Sequence, residues 1–143
     1  KIKAIGVSNY HQHHLEDLKK TARILPMVDQ IEFSPRLTQA PLMAYLKEEG
    51  IQMEAWSPLM QGQVFAIDVL HELAAKYNKS IAQIVLRWNI DKGVVVLPKS
   101  VTPSRIKENF EVFDFKLSQE DIDRIDALNQ NIRTGADPDN FDF

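Results

Sequence analysis

The sequence predicts an α/β fold with parallel strands, because short β-type runs alternate with helical patterns along the chain. Four such runs are each followed by turn residues and then by apolar residues at helical spacing. Alternation of this kind favours a parallel sheet with right-handed crossovers. With 143 residues, the chain can form an open doubly wound sheet or half of an eight-fold barrel, which needs about 250 residues.

Runs 2–7 and 28–33 begin the first two βα units. Pro41 suits the first turn of the second helix. Apolar side chains recur on one face of each helix: Leu15, Leu18 and Ala22 in the first, and Leu42, Tyr45 and Leu46 in the second.

Run 51–56 precedes two helices. Ser80 and Gln83 form a capping box that predicts the start of the second one. The apolar faces are Leu70, Leu73, Ala74 and Tyr77 in the first helix, and Ile81, Ile84, Val85 and Trp88 in the second. Both faces are expected to pack on a sheet.

Run 94–97 reads as a buried strand that leads directly into a helix start. Thr102 suits the N-cap and Pro103 the first helical position. The helix that follows carries Ile106 and Phe110. A last helix, opened by Ser118 and Asp121, presents Ile122, Ile125 and Leu128, and residues 129–143 form a tail. We expect residues 1–143 to form one domain.

Composition excludes several function classes. A formal net charge of −3 argues against general binding of nucleic acid or of a membrane surface, because both need a basic face. The absence of cysteine excludes disulfides and thiolate metal sites, and it is compatible with the cytoplasmic location that we expect. No apolar run approaches the roughly 18 residues of a membrane span. The missing initial methionine suggests a fragment.

The segment after run 94–97 predicts an anion site. Lys99 and Arg105 flank a helix start whose backbone N–H groups and dipole favour negative charge. A solvated lysine beside an ordinary helix cap is the simpler alternative. A phosphate group is the ligand that this combination would suit.

The other three strand ends are polar or aromatic. Ser8, Asn9 and Gln30 offer hydroxyl and amide groups suited to a neutral carboxamide, and Trp56 offers a flat face for a heteroaromatic ring. Each residue alone has an ordinary structural explanation, such as a helix cap or core packing. Together they suit a nicotinamide.

The five glycines contain no G-x-G-x-x-G spacing after a strand, which excludes the Rossmann way of holding a dinucleotide. Lys99 and Arg105 could instead bind a ribose 2′-phosphate. We therefore expect NADPH rather than NADH as the cofactor. A module that binds a phosphorylated ligand at Lys99 without chemistry remains the alternative.

Neither the histidines nor the acidic residues indicate a metal site. Only His11 and His14 of the cluster with His13 can share a helix face, and no carboxylate at helical spacing completes a tetrahedral set there. Glu32, at a strand end, is interpreted as a hydrogen-bonded structural residue. The aspartates of the last segment are interpreted as a helix start and a solvated tail: Asp121, Asp123, Asp126, Asp137, Asp139 and Asp142.

Four strings carry a family resemblance: Ile-Gly-Val-Ser-Asn-Tyr (5–10), Gln-Ile-Glu-Phe-Ser-Pro (30–35), Ala-Trp-Ser-Pro-Leu (55–59) and Leu-Pro-Lys-Ser-Val (97–101). With Arg105, Glu108, Asn109 and the tail 131–138, they resemble the aldo-keto reductase family. The resemblance covers essentially the whole chain and is greatest to the bacterial branch that reduces small dicarbonyls and keto sugars.

The resemblance implies a (β/α)₈ TIM barrel of which this chain is the C-terminal half, its last four βα units. It also implies the role of each matching position. Ser8, Asn9 and Gln30 would hold the nicotinamide carboxamide, Trp56 would stack on its ring, Ser57 and Leu59 would line the pyrophosphate side, Lys99, Ser100, Val101 and Arg105 would bind the 2′-phosphate, and Glu108 and Asn109 would reach the adenine end.

Some positions depart from the family pattern: Tyr10 replaces the usual Phe, Met60 the usual Gly and Ala136 the usual Pro. The family's catalytic Asp, Tyr, Lys and His belong to the half of the barrel that this sequence does not contain, so no catalytic residue is named. We expect an NADPH-dependent oxidoreductase acting on small aldehydes and ketones, with this chain inactive alone. The alternatives are the non-catalytic module and self-association through exposed sheet edges.

Overall fold

The computed structural model describes residues 2–140, in which strands and helices alternate as the sequence predicts. The strands are β1 (Gly6–Ser8), β2 (Val28–Glu32), β3 (Gln52–Trp56) and β4 (Val95–Val96). The helices are α1 (Gln12–Lys19), α2 (Ala40–Glu48), α3 (Asp68–Tyr77), α4 (Ile81–Asp91), α5 (Pro103–Phe110) and α6 (Gln119–Asp126), with 3₁₀ segments at Met60–Ala66 and Pro138–Asn140. None of these helices is long and apolar enough to cross a bilayer.

The four strands form one parallel sheet in the order β1-β2-β3-β4. Ser8 lies opposite Gln30, Gln30 opposite Glu54, and Glu32 opposite Trp56. The carboxyl ends of the strands therefore meet at one edge. The prediction of a parallel α/β sheet is confirmed.

The core lies on one face of the sheet. Along β3, Met53 and Ala55 are buried, whereas Glu54 and Trp56 are only half-buried. Trp88 of α4 stacks on Phe33 with ring centroids 4.7 Å apart. The predicted capping box that begins α4 is present, with the side chains of Ser80 and Gln83 each accepting the other residue's backbone N–H. Helices thus cover one face and leave the other open.

The two outer strands are shorter than predicted. β1 is residues 6–8, so it contains only two residues of the predicted run 2–7, and β4 contains only two of the four residues of run 94–97. Val94 is buried, but Val95 is 43% exposed and Leu97 is 53% exposed. Within residues 2–140 each outer strand has a sheet neighbour on one side only. The prediction of a fully buried fourth strand is therefore wrong, since the buried Val94 precedes β4 and Val96 is only half-buried.

Two predicted helix faces also differ from the structure. α1 ends at Lys19, which leaves Ala22 outside the helix. α5 has no buried residue, and Ile106 and Phe110 are both exposed. Thr102 occupies the N-cap of α5 without a side-chain cap bond, and its N–H donates to Ser100 Oγ at 3.2 Å instead. The start of α5 is thus less tied to the core than its sequence predicts.

The aspartates of the last segment are not all solvated. Asp121 is buried at the start of α6, where it accepts hydrogen bonds from Lys76 (2.6 Å), Tyr77 (2.6 Å) and Ser118 (2.8 Å). Burial by itself would raise the pKa of Asp121, but these three donors outweigh it and lower that pKa to about 2. The carboxylate therefore ties α6 to α3. Asp142 lies outside the described residues.

Asp29 is a second buried carboxyl group, and its pKa is shifted in the opposite direction. It lies on β2, where Oδ1 accepts only a long bond from the Tyr10 N–H at 3.4 Å. Oδ2 has no partner within residues 2–140. Burial raises the pKa of Asp29 to about 6, and the Tyr10 N–H offsets only part of that increase.

We predict that Asp29→Asn makes the unfolding free energy of the chain less sensitive to a rise in pH from acidic to neutral values. Because the pKa of Asp29 is higher in the folded chain than in the unfolded chain, folding binds a proton, and stability falls as pH rises from about 4 to about 6. The parent should lose about 1.5 kcal/mol more unfolding free energy than the variant between pH ~5 and pH ~8. Urea denaturation at both pH values measures this difference.

The matched control is Asp17→Asn, which neutralises an exposed aspartate of α1. It should follow the pH dependence of the parent. If Asp29→Asn and the parent chain lose the same unfolding free energy between the two pH values, Asp29 is not a carboxyl group destabilised by burial.

Candidate functional site

Four polar or aromatic side chains meet at the carboxyl edge of the sheet. Trp56 Nε1 donates to Asn9 Oδ1 at 2.7 Å, which links the ends of β3 and β1. Ser8 Oγ donates to the Gln30 carbonyl oxygen at 3.0 Å, and Gln30 Nε2 donates to Glu54 Oε1. The structure thus brings together Ser8, Asn9, Gln30 and Trp56, which the sequence placed on three separate strand ends.

The backbone turns sharply at two of these strand ends. Asn9 has φ 59° and donates its N–H to the Gln30 carbonyl oxygen at 2.9 Å. Ser57 has φ 53° at the end of β3. Left-handed φ is uncommon outside glycine, although asparagine tolerates it. Both strands are thus followed by a residue in the left-handed region of backbone conformation.

Hydrogen-bond chemistry shows which atoms of this group remain available. Trp56 Nε1 can only donate, so Asn9 Oδ1 faces it and Nδ2 is left as a donor. An ionised Glu54 can only accept, so Gln30 Nε2 faces it and Oε1 is left as an acceptor. Neither atom has another partner within the described part of the chain. One donor and one acceptor are what a carboxamide group requires.

Glu32 fastens the C-terminal tail to the sheet. Its carboxylate is 1% exposed and accepts hydrogen bonds from Thr134 N at 2.6 Å, Thr134 Oγ1 at 2.5 Å and Gly135 N at 3.2 Å. The prediction that Glu32 is a hydrogen-bonded structural residue is confirmed. Its partners come from residues about one hundred positions later in the chain, which sequence reasoning did not identify.

The tail lies directly against the Trp56 ring. A Cβ built on Gly135 would collide with Trp56 Cη2 and stand 3.2 Å from Cζ3, so only glycine fits at this close approach. Ser57 Oγ lies 3.3 Å from Thr134 Oγ1. Part of the Trp56 surface is therefore covered by the tail, and Gly135 is a residue whose importance only the tertiary contact reveals.

The residues predicted to bind a phosphate lie at the junction of β4 and α5. Lys99 and Arg105 are exposed and form no ion pair with a carboxylate among residues 2–140. Val101 is 79% exposed, and the oxygen of Ser100 accepts the Thr102 N–H. Two cations without an ion-pair partner in the described part of the chain thus flank a helix start, in a chain of net negative charge.

The remaining predicted residues surround these two groups. Leu59 is half-buried and packs against the core. Glu108 and Asn109 are half-buried near the end of α5, where the Glu108 carbonyl oxygen accepts a bond from Gln83 Nε2 at 3.1 Å. The backbone of Glu108 is thus held against α4, whereas most of α5 is exposed.

A cavity of about 1120 Å³ adjoins the first group. Ser8, Asn9 and Trp56 form part of its wall, Tyr10 adds an aromatic ring, and Pro138 closes it from the tail. The residues predicted to bind a phosphate do not line this cavity. The candidate site therefore has a cavity that begins at the end of β1 and extends along α1 to Thr21, and an exposed cationic segment that follows β4.

A histidine cluster lies beside the cavity. His11, His13 and His14 converge on Asp139 of the tail. The sequence provided no signal for Asp139, because a tail carboxylate has no spacing relation to α1.

Comparison with known proteins gives a consistent result. A family model described as "Aldo/keto reductase family" matches residues 1–130. The chain is 61% identical over 143 residues to the uncharacterized oxidoreductase YtbE of Bacillus subtilis, covering 100% of this chain and 51% of that protein. It is 59% identical over 143 residues to the glyoxal reductase of B. subtilis, covering 100% and 52%. It is 49% identical over 142 residues to the Escherichia coli K12 methylglyoxal reductase DkgA, covering 98% and 52%.

Solved structures agree with these sequence relatives. MGS-M4, an aldo-keto reductase from a Medee basin deep-sea metagenome library, has a TM-score of 0.96 and 43% identity, covering 100% of this chain and 54% of that chain. A mutant of Gox0644 in complex with NADPH has a TM-score of 0.94 and 37% identity, covering 99% and 52%. The predicted fold class, four βα units equivalent to half of a (β/α)₈ barrel, is confirmed.

The chain spans about half the length of the curated relatives that it matches. Within that half, the family model accounts for almost every described strand and helix. The chain belongs to the aldo/keto reductase family.

Proposed function

We propose that this chain is the cofactor-binding part of an NADPH-dependent reductase that converts small aldehydes and ketones to alcohols. The observation that carries the proposal is the meeting of the free Asn9 amide donor and the free Gln30 amide acceptor beside the Trp56 ring. The names of the glyoxal and methylglyoxal reductases among its relatives support the substrate class. The NADPH complex of a similar protein supports the cofactor.

NADPH, when bound, supplies a hydride to the substrate's carbonyl carbon. The chain's contribution is orientation. Asn9 Nδ2 and Gln30 Oε1 hold the carboxamide, Ser8 lies beside them, and the Trp56 ring supports the nicotinamide plane. Hydride transfer depends steeply on the geometry of approach, so these contacts affect rate as well as affinity.

The rest of the proposed cofactor site follows the carboxyl edge from β3 to β4. Lys99 and Arg105 bind the 2′-phosphate, together with the backbone around Ser100 and Val101 at the start of α5. Ser57 and Leu59 lie on the pyrophosphate side, and Glu108 and Asn109 lie at the adenine end. The exposure of both cations supports this role, because neither is engaged in an ion pair within the described residues.

The developing alkoxide needs a proton donor, and we propose that residues outside these 143 supply it. The Tyr77 hydroxyl is already engaged, since it donates a hydrogen bond to the buried Asp121 carboxylate at 2.6 Å. Tyr45 packs against the core from α2. Among the tyrosines only Tyr10 lines the cavity described above. Tyr10 directly follows Ser8 and Asn9, which is not the position of the family's catalytic tyrosine. The chain alone is therefore expected to bind cofactor without reducing substrate.

A second candidate function is self-association through the sheet edges. β1 and β4 each lack a neighbour on one side within the described chain, and Val95 and Leu97 expose apolar surface at one of these edges. Unpaired strand edges favour pairing with another chain. Two copies could close a barrel-like sheet by pairing β1 of one with β4 of the other.

We predict that the purified chain binds NADPH more tightly than NADH, and that the double substitution Lys99→Ala with Arg105→Ala removes the preference. Hydrogen bonds to charged groups contribute about 1.5–3 kcal/mol, which corresponds to a loss of about 10- to 150-fold in NADPH affinity. Quenching of tryptophan fluorescence and the emission of the reduced cofactor measure both affinities.

Lys107→Ala is the matched control for this titration, because Lys107 is an exposed lysine of the same helix that faces Glu111. It should leave the ratio of the two affinities unchanged. An unchanged ratio in the double variant would contradict the 2′-phosphate assignment. Binding of inorganic phosphate without any binding of NADPH would favour the non-catalytic module.

We predict that Glu32→Gln releases the tail from Trp56. The substitution replaces a buried carboxylate that accepts three hydrogen bonds from the tail with an amide that introduces two unpartnered N–H donors. Acrylamide should then quench the fluorescence of Trp56 more strongly, whereas Trp88 is fully buried and should not respond. Glu48→Gln, at an exposed position of α2, is the control, and equal quenching in both variants would show that Glu32 does not hold the tail.

We predict a concentration-dependent rise in sedimentation coefficient for the parent chain, because the unpaired edge strands favour dimers. Val95→Lys should shift the equilibrium towards monomer by placing a charge at an exposed position of β4. Lys92→Arg, which keeps a cation just before that strand, is the control. Sedimentation of the parent as a monomer at all concentrations would rule out this second function.

A further inference from the structure

We propose that His11, His13, His14 and Asp139 form a zinc-binding site that joins the start of α1 to the C-terminal tail. Each of the four side chains offers one ligand atom, and these atoms all lie within 4.8 Å of one another. The cluster does not include any residue assigned above to cofactor binding. The proposal therefore stands independently of the proposed function.

The distances resemble those between neighbouring ligands of a tetrahedral metal. His13 Nε2 lies 3.2 Å and His14 Nε2 3.5 Å from Asp139 Oδ1, and His11 Nδ1 lies 2.8 Å from Asp139 Oδ2. Tetrahedral zinc with bonds of about 2.0–2.1 Å separates its ligand atoms by roughly 3.3 Å. The three contacts to Asp139 are within a few tenths of an ångström of this spacing or about half an ångström short of it, whereas the most widely separated ligand atoms, up to 4.8 Å apart, must move closer by rotation of the histidine side chains.

The local backbone holds the ligands from both sides. His11 is the N-cap of α1, and His13 and His14 lie in its first turn. Asp139 lies in the 3₁₀ segment of the tail, where its N–H donates to Asp137 Oδ1 at 3.1 Å. His11 is mostly buried, whereas His13 is well exposed, which leaves an open path for an ion.

Without metal, the histidine protons occupy the position that the ion would take. Arg133 Nη2 donates to His11 Nε2 at 3.0 Å, so the His11 proton is on Nδ1 and faces Asp139. The His11 N–H donates to His14 Nδ1 at 3.0 Å, so the His14 proton is on Nε2 and also faces Asp139. Zinc would replace these protons. Binding must therefore displace Arg133 and the local cap bond.

The ligand set favours zinc over the hard cations. Three imidazole nitrogens and one carboxylate oxygen suit a borderline ion, whereas Ca²⁺ and Mg²⁺ prefer oxygen ligands. Four protein ligands leave no open position, which is typical of a structural zinc site. Because His13, His14 and Pro138 line the cavity beside β1, a bound ion would fasten the tail at the cavity wall.

Isothermal titration of the untagged chain with zinc sulfate at about pH 7.5, where imidazole is mostly neutral, tests the site. One ion should bind per chain. Asp139→Asn and His13→Ala should each weaken binding by at least about tenfold, because loss of a second-shell partner alone costs about 10- to 100-fold. His71→Ala is the matched control, since His71 lies outside the cluster and contacts the Phe65 carbonyl oxygen, and it should bind as the parent does.

Arg133→Gln provides a second, opposite test. Removing Arg133 takes away a positive charge and the donor that occupies His11 Nε2, so zinc should bind several-fold more tightly. Cobalt(II) titration should give the intense visible absorption of tetrahedral coordination in the parent and lose it in Asp139→Asn. The proposal is overturned if no saturable binding occurs, or if Asp139→Asn, with an unchanged circular dichroism spectrum, binds zinc as tightly as the parent. Unchanged affinity in Arg133→Gln overturns the assignment of His11 as a ligand.

Discussion

The parallel register of the four strands is the constraint on which the rest of this structure depends. Parallel strands all end at the same edge, so Ser8, Gln30 and Trp56 become neighbours although they are far apart in the sequence. The connecting helices return the chain to the opposite edge and cover one face of the sheet. Chemistry therefore collects at the carboxyl edge, while hydrophobic burial is confined to the helical face.

Glu32 connects this sheet to the tail. It is buried, and a buried carboxylate is stable only when hydrogen bonds compensate for its desolvation. Thr134 and Gly135 supply those bonds and are thereby held against Trp56, where the absence of a side chain on Gly135 makes the contact possible. One electrostatic requirement in the sheet thus determines where the tail lies, and the tail in turn brings Asp139 to the histidines of α1.

The charged groups of the chain differ in their burial and in the hydrogen bonds that they form. Asp121 is buried with three donors and is stabilised as a carboxylate, whereas Asp29 is buried with one weak donor and resists ionisation. Lys99, just before α5, and Arg105, on that helix without buried residues, are both exposed to solvent. Asp121, which joins two helices, thus forms its hydrogen bonds within the protein. The cations at the β4–α5 junction remain accessible to an anionic ligand.

The sequence by itself determined the α/β class, the capping box at Ser80 and the strand-end motifs, because hydrophobic periodicity and cap chemistry are local properties. The sequence-based prediction overestimated the lengths of β1 and β4 and the burial of the apolar face of α5. Burial of Val95 or Phe110 depends on tertiary neighbours, which a local sequence pattern does not encode. Only the tertiary structure decided that Glu32 holds Thr134, that Gly135 lies on Trp56 and that Asp139 meets three histidines. These contacts join residues that are about 80 to 130 positions apart, and no spacing rule connects such residues before the chain has folded.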